Sequence, residues 1–240
     1  NIALAGTGVG KSLFMCHVAS SYLTQGMNVL YITLEMAEER IAERIDANLL
    51  DVSMEDLHVM PKDLYDNKMN KIQSKTKGKL IIKEYPTASA HSGHFRALLN
   101  ELSLKKSFKP DAIFIDYLNI CSSSRFKGGN ISSYFYVKAI AEELRGLAVE
   151  FDVPIFSATQ TTRTGYVSTD IGLEDTSESF GLPATADFMF ALISNDELDQ
   201  LGQIKIKQLK NRYNDPSTNR AFIVGVDRSK MRLFDVEQKA

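Results

Sequence analysis

A chain of 240 residues is long enough for one large domain or two small ones, and its 44% apolar and 24% charged residues are ordinary for a soluble globular protein. The net charge of −2 excludes a generally basic nucleic-acid-binding protein, and no apolar run approaches the roughly 20 residues of a membrane span. No signal-peptide pattern is found, and Cys16 and Cys121 lack metal-ligand spacing, which argues against a disulfide framework or a zinc site and fits the cytoplasm.

The first predicted strand, residues 1–5, leads into a glycine-rich turn that ends in Gly-Lys-Ser, and an apolar helical pattern follows over 11–25. This is the context of a phosphate-binding loop, in which glycines let backbone N–H groups point at phosphate oxygens. Lys11 is expected to reach the β- and γ-phosphates and Ser12 to hold Mg²⁺. The motif normally begins with glycine where this chain has Ala5, and an ordinary glycine-rich turn is the alternative. The residues predicted to bind nucleotide are Gly6, Thr7, Gly8, Val9, Gly10, Lys11 and Ser12.

Strand and helix patterns alternate along the rest of the chain. Further strands are predicted at 28–35, 79–85, 112–116, 153–160 and 188–194, and further helices at 37–50, 94–105 and 136–151. Residues 202–209, 220–226 and 231–236 are predicted to form a closing antiparallel group. Residues 51–78 are polar with weak helix signals, 121–134 are predicted to be a Ser/Gly-rich loop, and 161–183 are predicted to be a polar loop. Such alternation predicts an α/β domain with a mainly parallel central sheet flanked by helices.

Three more predicted strands end in a chemically useful residue. Asp116 follows four apolar residues in the Walker B pattern, which places a carboxylate to orient Mg²⁺ and its waters. Glu35 is placed to accept a proton from an attacking water, and Gln160 to hydrogen-bond the γ-phosphate or that water. Because ligands bind at the carboxyl edge of a parallel sheet, these residues are predicted to converge on the phosphate loop. The alternatives are a capping aspartate and solvated loop residues.

Basic residues near the end of the chain suggest a further part of the site. Lys210 and Arg212 are spaced so that a continuing strand would place both on one face, where they could neutralise transition-state charge. The alternative is a solvated basic strand end, because Lys205 and Lys207 lie on the same strand.

Two connecting segments, 121–135 and 161–183, are longer than ordinary connections and so are expected to be functional or disordered. Their basic side chains, Arg125, Lys127 and Arg163, suit contacts with the phosphates of single-stranded nucleic acid. The alternative is a pair of flexible surface loops.

The ordered motifs A-x4-G-K-S, L-E-M, I-F-I-D-Y, A-T-Q and K-x-R resemble the RecA-like motor domain of the DnaB-type hexameric replicative helicases, in particular their phage members. The resemblance covers essentially all 240 residues. It implies that ATP or another NTP and Mg²⁺ are bound by Lys11, Ser12 and Asp116. It also implies that Glu35 is the catalytic base, that Gln160 couples the γ-phosphate to DNA, and that Lys210 and Arg212 reach the nucleotide of a neighbouring subunit.

The resemblance further implies a ring, a homo-hexamer in the full-length protein, in which the two long loops grip single-stranded DNA. Primase and a helicase loader are candidate partners, and the host cytoplasm is the expected location. Because the chain opens directly in its first strand, residues 1–240 are expected to be one motor domain of a longer protein, without the family's N-terminal domain and linker helix. The fragment alone is expected to be mainly monomeric or weakly associated. The alternatives are a RecA/RadA-type recombinase or related filament ATPase, and a nucleotide switch without turnover.

Overall fold

The structure is a computed structural model, and it describes residues 1–126, 131–161, 171–176, 181–215 and 217–238. Its strands are β1 Ile2–Ala5, β2 Val29–Thr33, β3 Leu80–Glu84, β4 Ala112–Asp116, β5 Ile155–Gln160, β6 Phe188–Ile193, β7 Gln203–Asn211, β8 Ala221–Asp227 and β9 Arg232–Asp235. Its helices, within the described residues, are α1 Lys11–Thr24, α2 Glu38–Leu50, α3 Met54–Val59, α4 Lys62–Lys75, α5 Ser92–Lys106, α6 Ser133–Phe151, α7 Gly181–Thr185 and α8 Asp196–Gln200.

The strands form one mixed sheet in the order β3-β2-β4-β5-β1-β6-β7-β8-β9. Pairing is parallel from β3 to β6, and β7, β8 and β9 add antiparallel strands at one side. This confirms the predicted mainly parallel sheet with a closing antiparallel group. The sheet brings the carboxyl ends of β1, β2, β4 and β5 to a single edge.

Both faces of the parallel part are buried, which is why its strands are almost uniformly apolar. Alternate residues of β4 point to opposite sides: Ile113 and Ile115 join a cluster with α5 and α6, whereas Ala112 and Phe114 join one with α1 and α2. Helices therefore pack against both faces of the sheet.

Differences from the predicted elements lie mainly in the polar segments. Residues 51–78 contain the helices α3 and α4, with the Ser53 hydroxyl accepting from Asp56 N at 3.0 Å to begin α3. Strand β2 ends at Thr33, two residues before Glu35. The short helix α8 lies outside the predicted elements; it begins where Asn195 Oδ1 accepts from Leu198 N at 2.8 Å. Capping by the short polar side chains of Ser53 and Asn195 explains where α3 and α8 begin.

Candidate functional site

The turn between β1 and α1 has the backbone that the glycine-rich motif predicts. Gly8 and Gly10 have φ of 79° and 126°, a region that favours glycine, so the loop can curl above the amino end of α1. The Lys11 ammonium lies across the loop and donates to Gly6 O at 3.2 Å. Ala5 is the last residue of β1 and has an extended backbone beside Gln160, so this position does not require the glycine of the usual motif.

Asp116 ends β4 with its carboxylate buried, at 1% exposure, against the start of α1. Tyr31 donates its hydroxyl to Asp116 Oδ2 at 3.1 Å, while Oδ1 has no hydrogen-bond partner among the described residues. Burial raises the pKa of this carboxyl, opposed by the hydroxyls of Ser12 and Tyr31 and by the charges of Arg44 and Lys11. An unpartnered carboxylate oxygen beside a serine hydroxyl is a donor set that fits Mg²⁺.

Glu35 and Gln160 reach the same edge of the sheet by different routes. The Thr33 hydroxyl donates to Met36 O at 2.8 Å and accepts from Met36 N at 3.0 Å, so a tight turn displays Glu35 in solvent. Gln160 ends β5 directly beside Ala5, and its amide donates to the Tyr117 hydroxyl at 3.3 Å. Both side chains border a cavity of about 330 Å³ that opens onto the phosphate loop.

The cavity collects most of the residues predicted from strand ends, together with arginines that the sequence reasoning missed. Its lining is Thr7, Gly8, Gly10, Lys11, Ser12, Leu13, Glu35, Arg44, Gln160, Arg228 and Met231. Burial lowers the pKa of Lys11, although the carboxylates of Glu35 and Asp116 raise it. The structure therefore brings Lys11, Ser12, Glu35 and Gln160 together at one cavity, and Arg44 and Arg228 add positive charge to its lining.

Lys210 and Arg212 lie at the opposite edge of the sheet from the cavity, where the parallel strands begin. Lys210 pairs in register with Met189, which is paired with Ile2 at the start of β1, whereas the phosphate loop follows Ala5 at the end of β1. Lys210 Nζ donates to Pro183 O at 2.6 Å, and Arg212 binds Asp187 at 2.8 Å. The two side chains therefore reach the same segment, as their spacing predicts, but far from their own chain's cavity.

The first long loop, 121–135, is described at residues 121–126 and 131–135, and its beginning is bonded to α6. Glu143 is buried and accepts from Ser92 Oγ at 2.8 Å, from Ser123 Oγ at 2.6 Å and from Ser124 N at 3.0 Å. Arg125 forms an ion pair with Glu142 on the surface. Lys127 and Arg163, the other residues predicted to contact nucleic acid, lie outside the described residues.

A parallel sheet with a glycine-rich loop, a lysine and serine at the start of a helix, and a carboxylate at a neighbouring strand end defines a P-loop NTPase domain. The family described as the DnaB-like helicase C-terminal domain matches residues 1–227, and the chain belongs to that family. This membership favours a helicase motor over a recombinase.

Relatives from phage and bacteria support this membership. A DnaB-like replicative helicase of Enterobacteria phage T4 is 48% identical over 242 aligned residues, covering 99% of this chain and 51% of the relative. A probable plasmid replicative DNA helicase of Chlamydia psittaci is 31% identical over 166 residues, covering 68% of this chain and 34% of the relative. The chain thus spans about half the length of the first of these relatives, and less of the second.

Two solved structures share the fold over 98% of the chain. One, described as an ATPase domain, superposes with a TM-score of 0.80 at 17% identity and is covered over 84% of its length. The other, a DnaB-like replicative helicase studied with its interactions with primase, superposes with a TM-score of 0.79 at 18% identity and is covered over 57%. Identities this low show the fold alone, which is RecA-like. Among the residues that the structure describes, no helix is long and apolar enough to cross a bilayer.

Proposed function

We propose that the chain is the motor domain of a replicative helicase, which hydrolyses ATP or another NTP with Mg²⁺ to move along single-stranded DNA and separate duplex strands. The observation that carries this proposal is the convergence of Lys11, Ser12, Glu35 and Gln160 on one cavity, with Asp116 at the adjacent strand end. Membership of the DnaB-like family supplies the link from nucleotide hydrolysis to DNA.

Each residue of this site has a distinct proposed role. Backbone N–H groups of the loop and the Lys11 ammonium bind the phosphates, and Ser12 and Asp116 hold the metal, which neutralises charge on the β- and γ-phosphates when bound. Glu35 accepts the proton of the attacking water; its exposed position leaves it accessible to that water. Gln160 orients the water or the γ-phosphate. Its hydrogen bond to Tyr117 links it to the residue after Asp116.

The position of Lys210 and Arg212 supports a role at the nucleotide of a neighbouring subunit. Three residue steps along β1 correspond to about 10 Å, and the phosphate loop lies beyond them, so these side chains are well separated from their own site. A head-to-tail arrangement of subunits would bring one edge of the sheet to the opposite edge of the next copy. We propose that arrangement as the ring, a homo-hexamer in the full-length protein.

The proposed partners follow from the same family. Single-stranded DNA is contacted by the segments around Arg125, Lys127 and Arg163, and primase and a helicase loader bind the assembled ring. Residues 1–240 are proposed to be one motor domain of a longer protein that works in the host cytoplasm. The solved relative that was studied with primase supports the first of these protein partners.

The test of hydrolysis uses the full-length protein and the substitution Glu35→Gln. DNA-stimulated ATP hydrolysis is expected to fall by about 100-fold or more, because a general base contributes that much, while nucleotide binding is retained. Glu39→Gln, an exposed glutamate on α2, is the matched control and should hydrolyse normally. Undiminished hydrolysis in Glu35→Gln would show that the base assignment is wrong. Unwinding of a forked duplex by the wild type, without strand exchange, distinguishes a helicase from a recombinase.

The proposed role of Arg212 at the nucleotide of a neighbouring subunit is tested with Arg212→Ala in the same full-length, assembled protein. Hydrolysis is expected to be abolished while nucleotide still binds, since only the neighbouring subunit's transition state loses its cation. Lys205→Ala, on the same strand, is the control and should keep most of the activity. Normal hydrolysis by Arg212→Ala would exclude the proposed trans role.

A further inference from the structure

The turn between β8 and β9 closes one side of the cavity. Arg228 and Met231 of this turn line the same space as Lys11 and Ser12. Only 3.8 Å separates Arg228 Nη1 from the point that a β-carbon on Gly10 would occupy. A guanidinium group therefore lies next to the end of the phosphate loop, although it comes from a strand connection more than 200 residues further along the chain.

The turn is held in place by hydrogen bonds to the helices beside α1. Asn48 of α2 donates its amide to Met231 O at 2.6 Å, and Met54 N donates to Ser229 O at 2.8 Å. Within the turn, Asp227 Oδ1 accepts from Ser229 N at 3.0 Å. The backbone that carries Arg228 is thus anchored over the loop.

The other basic residues of this hairpin, Lys230 in the turn and Arg232 at the start of β9, both bind Asp51 at the end of α2, at 3.2 Å and 2.8 Å. These basic residues are therefore engaged away from the cavity, and Arg228 is the arginine of this hairpin that lines it.

The present partner of Arg228 is a weak one. Its Nη2 lies 3.3 Å from Asp199 Oδ1 on α8, and both side chains are about half exposed, at 49% and 52%. Asp199 also accepts from the Ser194 hydroxyl at 2.7 Å, so it keeps a partner when Arg228 leaves. Exposed ion pairs contribute little to stability, and an arginine–phosphate contact is stronger and often bidentate.

We propose that Arg228 is a nucleotide-binding residue that exchanges Asp199 for the α- or β-phosphate, the part that ATP and ADP share. This inference rests on the proposed function and adds a specific residue to its site. Glu35 follows β2 and Arg228 follows β8, and these strands lie on opposite sides of β1 in the sheet. Arg228 therefore approaches the loop from the side away from the groups proposed for the γ-phosphate.

The experiment measures equilibrium binding of ATP and of ADP, and steady-state hydrolysis, in the full-length protein carrying Arg228→Ala. Affinity for both nucleotides is expected to fall by about 5- to 50-fold, with kcat at saturating ATP changed less than about 2-fold, because a contact made equally in ground and transition states affects binding alone. Arg232→Ala, which removes the neighbouring guanidinium bound to Asp51, is the matched control and should bind both nucleotides normally.

Asp199→Asn tests whether Arg228 exchanges Asp199 for a phosphate, because it weakens the ion pair that holds Arg228 away from the nucleotide. Removing the competing carboxylate is expected to tighten binding of both nucleotides by about 2- to 5-fold, and unchanged binding would refute the exchange. Unchanged affinity in Arg228→Ala, or a loss confined to ATP, would overturn the assignment to the shared phosphates. A wild type that binds no nucleotide, or a Lys11→Ala variant that binds it normally, would instead refute the proposed nucleotide site, so the two failures are distinguishable.

Discussion

Asp116→Asn is expected to stabilise the nucleotide-free protein while it abolishes hydrolysis. The wild-type carboxylate is buried at the end of β4, and its Oδ2 accepts a hydrogen bond from the Tyr31 hydroxyl. Oδ1 has no such partner among the described residues, so without a metal the buried charge is only partly compensated, by the nearby Ser12 hydroxyl and the charges of Lys11 and Arg44. An asparagine keeps the acceptor for Tyr31 and removes the charge.

The expected change in stability follows from comparing the buried groups of the asparagine variant with those of the wild type. The amide nitrogen of asparagine would replace Oδ1 and is itself a buried donor, which costs about 1–3 kcal/mol if unpaired. An unpaired buried charge costs more than an unpaired amide, even with the opposing charges of Lys11 and Arg44 nearby. We expect a net gain of about 1–2 kcal/mol, which for a domain of this size raises Tm by about 2–8 °C.

Thermal unfolding at several pH values, with EDTA and without nucleotide, measures this effect. Because burial raises the pKa of Asp116 in the folded state, the wild type loses stability as pH rises from the unfolded value, about 3.9, through the higher folded value. The stability gap between variant and wild type should therefore be largest at neutral pH and should shrink as the solution is acidified through that window.

A lower Tm for Asp116→Asn than for wild type at about pH 7 in EDTA would refute the reasoning, because hydrogen bonding to the carboxylate would then outweigh its burial cost. Addition of Mg²⁺ and ATP should reverse the order. The wild type should gain stability from ligand binding, and the variant should gain less. Asp111→Asn, on a surface loop just before β4, is a suitable control for the loss of a carboxylate that does not face the cavity.

Two further predictions concern side chains behind the site. Tyr31→Phe removes the donor to Asp116 Oδ2 and should raise the pKa of that carboxyl further. The acid limb of the hydrolysis pH profile should then move to higher pH, and more Mg²⁺ should be required for hydrolysis. An unshifted pH profile would exclude a positioning role for Tyr31. Glu143→Gln should destabilise the protein by about 1.5–3 kcal/mol at pH 7, since it weakens the charge-assisted hydrogen bonds from Ser123 and Ser124. Burial raises the pKa of Glu143, but these bonds lower it overall. The difference in Tm should therefore be present at neutral pH and be lost as pH falls from the unfolded pKa, about 4.3, through the lower folded pKa; equal Tm values at pH 7 would contradict this.

The sequence predicted the edge of the sheet well because strand ends carry a strong local signal. A buried parallel strand is an uninterrupted apolar run, so the change from Ile115 to Asp116 marks its end to the residue. Bringing these strand ends together then needs only the rule that the carboxyl ends of parallel strands lie at the same edge of the sheet. The structure confirms it through the register of Ala5 with Gln160 and of Thr33 with Asp116.

The arginines of the cavity could not be predicted in the same way. Arg40 and Arg44 occupy the same charged helix, yet Arg40 pairs with Glu43 at 2.8 Å on the surface while Arg44 lines the cavity. Helical periodicity shows which face is polar, but it does not show which polar residue meets a neighbouring loop. Arg228 lies in a polar turn whose position depends on contacts with α2 and α3, and both contacts are remote in sequence.

Arg212 and Arg228 share a feature that only the structure reveals. Each is held by an exposed or partly exposed carboxylate, Asp187 at 2.8 Å and Asp199 at 3.3 Å, rather than by a buried network. Such pairs keep a long side chain ordered yet cost little to break, so each guanidinium can be released to a stronger phosphate acceptor. The proposed acceptors differ, since Arg228 lines its own cavity whereas Arg212 lies at the opposite edge of the sheet. Comparing the two alanine variants therefore separates contacts made within one chain from contacts that require a second copy.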